Sequence, residues 1–259
     1  MPHRPYPPAL TVVAQWVLGT VLVTWRYLWA TTPLHRGGER SGDDRDRPPP
    51  IPGEMFDDRV QLSEDGYGPL FHRRFMVRIA SAQLDADRLM LLLCRDFRHF
   101  VPKEVVGIRS GQSPARAGGL GLADELVVVM PGPWNGPVRV IRRDRDHLGL
   151  VTLRGHMEAG QVHFRARGGD GAPLEFEVEL WARAGSRLVD LLYSRLRVAK
   201  EAQLNMWVRF CLGAVEASGG RLMDGVHIAT RRLDSPDGTP VRTAPRAVGL
   251  GTERPDRTA

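Results

Sequence analysis

Cysteine and lysine are almost missing from this chain of 259 residues, which holds two of each. Two cysteines cannot build a disulfide framework or a tetrahedral thiolate zinc site, so a reducing compartment and a metal-free protein are the simpler expectations. Cys94 and Cys211 both fall in apolar helical patterns, where a thiol behaves as a small buried hydrophobe. With Lys103 and Lys200 as the only lysines, the net charge of +6 comes almost wholly from arginine. It is also spread out: residues 1–30 carry +2, 31–60 carry −2, 61–220 carry +4 and 221–259 carry +2. No block of positive charge marks a nucleic-acid surface, so no specific nucleic-acid partner is expected.

Signatures of familiar chemistry are missing too. The chain has no H-E-x-x-H, no glycine loop for phosphate and no G-x-S-x-G elbow. Its one suggestive H-x-E lacks the P-C-x-x-C that a zinc deaminase requires. No cofactor is implied.

Long hydrophobic runs are scarce, and the exception lies near the start. Ala9 to Thr24 carries no charge and leads into Trp25, Arg26, Tyr27 and Trp29, an aromatic belt beside an arginine. About 17 uncharged residues is the lower limit for crossing hydrocarbon; the 9–30 stretch crosses if Arg26 snorkels. The expectation is a membrane-spanning or interfacial helix within residues 1–30. Docking on the globular domain, or cleavage as a signal peptide, are the alternatives. Arg26, Arg36 and Arg40 follow the segment and only Arg4 precedes it, which places the folded domain on the cytoplasmic side.

Residues 31–64, with Pro48-Pro-Pro50 and several acidic and glycine residues, read as a disordered or extended linker. Residues 221–259, rich in Arg, Thr, Pro and Gly, read as a disordered tail. Between them, 65–220 is expected to form one α+β domain. Phe75, Val77 and Ile79 alternate as a strand. Asp85 then caps a helix with Leu89, Leu92, Leu93, Phe97 and Phe100 on one face. Six short strand patterns follow: Val105–Arg109, Glu125–Met130, Val138–Arg143, Leu148–Arg154, Gln161–Arg167 and Leu174–Ala182. A proline-free run from Ser186 to about Ala217 predicts a long helix, ending at Ser218-Gly219-Gly220. Leu188, Leu192, Leu196, Ala199, Gln203, Met206, Phe210 and Ala214 share its apolar face. Strand, helical insert, meander and terminal helix is the helix-grip order: a curved antiparallel sheet around the last helix, with room between them for a ligand.

Residues 152–160 read TLRGHMEAG. His156 and Glu158 share a face if the backbone is extended and form a possible acid-base pair, or they belong to a turn bracketed by Gly155 and Gly160. His72, at the entry to the first strand, is a third catalytic candidate or an edge histidine. Trp134 in a Pro/Gly loop, with Lys200, Gln203 and Trp207 on the long helix, are the candidate ligand-binding residues. Thr152, Gly155 and Gly160 are structural motif positions.

The TLxGHxExG string, with Val138-Arg-Val140 before it, a Phe176–Arg183 strand after it, and Gly66 to His72 as domain entry, resembles the uncharacterised family catalogued as domain of unknown function nineteen-ninety. The resemblance covers about Tyr67 to Ala217, and the entry resembles actinobacterial members. Arg154 and Met157 stand where that family often has proline, and Gln161-Val162 where it has paired glutamates. The family is similar to the START and birch-allergen (SRPBCC) superfamily, which implies a helix-grip fold and either a carrier of hydrophobic molecules or a cyclase. Three functions are therefore carried forward: a membrane-tethered binder of a lipid or other hydrophobic small molecule, a small enzyme on an apolar substrate, and a membrane-anchored interaction module.

Overall fold

The structure is a computed structural model that describes residues 33–101, 107–110, 119–129, 135–168, 171–187 and 197–233. The apolar 9–30 segment, Trp134, residues 188–196 and the end of the chain after Leu233 lie outside the described residues. Among those described, no helix is long and apolar enough to cross a membrane.

The strands are β1 (Leu34–Arg36), β2 (Arg40–Ser41), β3 (Tyr67–Ala80), β4 (Gly107–Ser110), β5 (Glu125–Val129), β6 (Asn135–Arg143), β7 (His147–Thr152), β8 (Glu158–Arg167), β9 (Leu174–Ala184) and β10 (Arg221–Leu233). Helices α1 (Ala86–Arg95) and α2 (Phe97–Phe100) follow β3, and α3 (Arg197–Ala217) precedes β10. One sheet takes in all these strands, in the order β1-β10-β3-β9-β8-β7-β6-β5-β4, with β2 also on β10. Every pairing is antiparallel except those of β1 and β2 with β10. From β3 to α3 the order is the expected helix-grip one.

Alternation explains the two faces. Phe75, Val77 and Ile79 of β3, Phe176 and Val178 of β9, and Phe164 and Ala166 of β8 are buried against the helices. The Asp85 carboxylate caps α1 by accepting from Arg88 N at 2.8 Å, so Leu89, Met90, Leu93 and Cys94 turn inward. α1 breaks at Asp96, which lets Phe97 and Phe100 swing into the interior as a separate turn. There, rings of Phe97, Phe100, Phe164, Phe176 and Trp207 surround Phe210 of α3 at centroid distances of 4.8 to 6.3 Å. This aromatic plug fills the space between the sheet and the C-terminal half of α3. The described part of α3, 21 residues, is about 32 Å long.

Helix α3 ends where expected. Ser218 Oγ donates to Val215 O at 2.7 Å, Gly219 takes φ +67°, and Gly220 packs on Ile79 and Ala80.

Two expectations are corrected. Residues 221–233 are not tail but β10, with Val226 and Ile228 buried in the main core. A bulge between Leu222 and Val226, with Gly225 at φ +91°, breaks the alternation that would have announced a strand. Residues 33–64 are extended, but they are docked. They add β1 and β2 to the sheet edge and then run as a strap over the outer face, where Met55 and Val60 pack on Ile141, Val151 and Leu153. The folded unit therefore reaches beyond both limits of 65–220.

Candidate functional site

The TLRGHMEAG stretch is the β7–β8 hairpin, and each motif residue has a place in it. Thr152 Oγ1 donates to Gln61 O of the strap at 2.9 Å and accepts from Gly160 N at 2.9 Å, tying three segments at one hydroxyl. Gly155 takes φ +96° at the turn with open space around it. Gly160 is at φ +151°, and a Cβ there would lie 1.9 Å from Trp181 O, so only glycine lets β8 approach β9. His156 Nδ1 accepts from the backbone N–H of Glu158 at 2.9 Å. Burial pushes the imidazole down to about 4 and keeps it neutral. The Glu158 carboxylate accepts instead from Gln203 Nε2 at 2.6 Å. Both side chains thus hold the hairpin: His156 its backbone, Glu158 the helix.

Gln203 links Glu158 to a residue that motif reading passes over. Its Oε1 accepts from Arg73 of β3, and Arg73 and Gln203 are both buried. Counting back by twos from Ile79, Val77 and Phe75 puts Arg73 on the inner, apolar face. Arg73, Gln203 and Glu158 form a cation–amide–carboxylate chain across the gap between sheet and helix. The donors-only guanidinium and the acceptor carboxylate fix which way the amide faces. One turn along α3, Trp207 lies against Phe164 and Phe210, and its buried Nε1 meets no acceptor among the described residues. The Lys200 backbone belongs to α3, but its side chain lies outside the described residues, as does all of Trp134.

His72 is on the other side of the sheet. It is not an edge histidine: it is buried on the outer face, with Nδ1 2.9 Å from Asp46 Oδ1, Nε2 2.8 Å from Glu179 Oε1, and its ring stacked on Trp181 at 5.0 Å. Burial raises the Glu179 carboxyl, but hydrogen bonds from His72 and Arg165 and the Arg165 charge outweigh it and hold Glu179 at about 2. Asp46 is likewise held below its usual value despite burial, by the Asp43 N–H, His72 and Arg231. His72 therefore shares no site with His156 and Glu158.

A second buried chain on that face runs from His147 Nε2 to His163 Nδ1 at 3.0 Å, from His163 Nε2 to Gln161 Oε1 at 3.1 Å, and from Gln161 Nε2 to Pro49 O at 2.9 Å. The Pro49 carbonyl can only accept, so each link donates towards the strap. Burial, then the Arg165 and Arg142 charges, lower His147 to about 4; burial, then His147 and Arg165, lower His163 to about 3. Both are neutral at pH 7. An open groove of about 610 Å³ lies at the far end of β3, lined by residues such as Ser81, Gln83, Arg88 and Pro173. Among the described residues no group of His, Cys, Asp and Glu has the arrangement of a metal site.

No protein-family model matches the chain, and no curated protein matches it. The likeness to family nineteen-ninety stands on the motif residues alone. Solved structures to which the chain is similar include hypothetical protein jhp0584 from Helicobacter pylori, at 13% identity and a TM-score of 0.41 over 57% of this chain and 87% of that one. They also include the major latex-like protein 151 of Panax ginseng, at 11% identity and a TM-score of 0.37 over 52% and 94%. A third is the di-domain ARO/CYC StfQ from the steffimycin biosynthetic pathway, at 10% identity and a TM-score of 0.38 over 61% and 54%.

Proposed function

We propose that this domain binds a small amphipathic molecule on the inner face of its sheet, beside the N-terminal part of the described α3. The observation that carries the reading is the Arg73–Gln203–Glu158 chain, whose Arg73 and Gln203 are buried on a face that is otherwise apolar, with Glu158 half-buried at its end. Polar groups placed there cost stability relative to well-packed hydrophobes, so their presence calls for a use. The aromatic plug around Phe210 closes the other end of the interior, which directs a ligand to the Arg73 end. The sequence expectation of a membrane tether at 9–30 would bring such a binder to a source of amphiphiles.

The test is native mass spectrometry of the full chain purified without added ligand, followed by organic extraction. A bound mass that Gln203→Leu removes supports the reading. A chain that carries nothing and gives no heat with any amphiphile removes it. The acid-base reading of His156 and Glu158 predicts a catalytic defect in His156→Ala, whereas a hairpin role predicts altered stability and unchanged ligand loading.

A further inference from the structure

Resting on the membrane tether that accompanies that reading, we infer that one end of the sheet is a lipid-docking surface: the β10 bulge and the groove beside Ser81 lie against the membrane that holds residues 9–30. The joint between segment and domain sets this. Only Thr31 and Thr32 stand between Ala30 and Pro33. The apolar segment therefore ends within about 11 Å of the sheet, the reach of three chain steps. Pro33 itself is fixed. Its carbonyl accepts from Val226 N at 3.0 Å, His35 Nε2 donates to Asp224 O at 2.5 Å, and Leu34 packs on the main core. Gly225, at φ +91°, makes room for the Pro33 carbonyl where a side chain would strike it. Because β1 runs parallel to β10, the chain upstream of Leu34 heads for the end where β10 begins and β3 stops at Ala80.

That end is built for a headgroup boundary. The bulge leaves Met223 47% exposed, and Arg221 beside it is exposed as well. The open groove of about 610 Å³, lined by residues such as Gln83, Asp85, Arg88 and Pro173, lies at the same end. A membrane interface takes an apolar side chain a few ångström deep and keeps charged and polar groups at its surface. Arg73 stands seven residues back along β3, about 23 Å further from the lipid. The amphiphile proposed above is thus met on the aqueous side, as a molecule that has left the bilayer.

Quenching by brominated phosphatidylcholine, in vesicles carrying the full chain, tests the orientation. Cys94 and Cys211 are buried, so a bimane label goes to the introduced thiol of Met223→Cys, Arg88→Cys or Arg154→Cys, all at exposed positions. Arg154, in the β7–β8 hairpin, marks the opposite end of the sheet. Brominated lipid should quench the labels at 223 and 88 about twofold or more and leave 154 nearly unchanged, since the bromines reach the headgroup boundary but not a site a strand length away. Equal quenching at the two ends, or its absence at 223 or at 88 in chain that floats with the vesicles, overturns the inference and leaves the tether standing. Chain that does not float with the vesicles overturns the tether and the inference together, and the ligand-loading measurement still decides the amphiphile reading.

Discussion

Lowering the pH from 7 to 5 should weaken the fold through His147 and His163. Each is almost fully buried and is held neutral well below its ordinary value of 6.5, at about 4 and about 3. Unfolded chains take up a proton at each histidine as the pH drops through 6.5; the folded chain does not. Their contribution is complete above 6.5 and is lost progressively as the pH falls towards the folded values. At about 1.4 kcal/mol per unit and per group, less near 6.5, the loss between pH 7 and 5 is roughly 2 kcal/mol each. Two such groups, with His156 held at about 4 as a third, cost about 3–6 kcal/mol after allowing for relaxation of the sites, a large part of an ordinary folding free energy. Carboxylates do not mask the effect, because Glu179, Asp46 and Asp57 are lowered and lose their stabilising contribution only below the ordinary carboxylate range. Urea unfolding followed by circular dichroism at pH 7, 6 and 5 measures it. With a slope of about 2 kcal/mol per molar, the midpoint should fall by about 1.5–3 M, and His163→Gln should remove about a third of that dependence. An unchanged midpoint, or an unchanged pH dependence in His163→Gln, refutes the reasoning.

Two further outcomes follow from the geometry, and a third from the sequence expectation for residues 9–30. Gly160→Ala should destabilise by more than about 3 kcal/mol, because its Cβ meets the Trp181 carbonyl, while Gly155→Ala in open space should cost about 1 kcal/mol; thermal melts of the two rank them. His72→Leu leaves Asp46 and Glu179 buried without their shared partner and should cost about 3–5 kcal/mol, with new protease cuts appearing first between residues 43 and 60. The 9–30 segment should keep the full chain in the membrane pellet after carbonate washing, and a version starting at Pro33 should lose that retention.

What could be read in advance followed the strength of local periodicity. Phe75, Val77 and Ile79 announced both a strand and its buried face, Asp85 announced a helix start, and Gly219-Gly220 announced a helix end. The same alternation carried two residues further back assigns Arg73 inward and His72 outward, a signal present in the sequence that motif reading overlooked. The strap had no such signal. Ile51, Met55, Val60 and Leu62 follow neither a helical nor a strand period, and their partners Ile141, Val151 and Leu153 are some 90 residues away. Asp46, Glu179 and Gln161 gain their roles only through that long-range docking. β10 was hidden by its bulge and its arginines.

The strap's course over the sheet has a mechanical meaning. Arg231, His72, Trp181, Gln161, Val151, Arg139 and Glu125 stand side by side on seven successive strands. The strap touches this row in chain order: Asp46 meets Arg231 and His72, Pro49 meets Gln161, Asp57 meets Arg139, and Arg59 meets Glu125. Six strand spacings make about 29 Å, bridged by the 14 residues from Asp46 to Arg59, pinned at both ends and in the middle. Such a tie lies across the direction in which a sheet bends most easily. It sets how tightly the sheet curls, and so how wide the opposite face stands open beside α3. Loosening a pin on the outside, at His72 or Arg139, should therefore be felt as a change of fit around Arg73 on the inside.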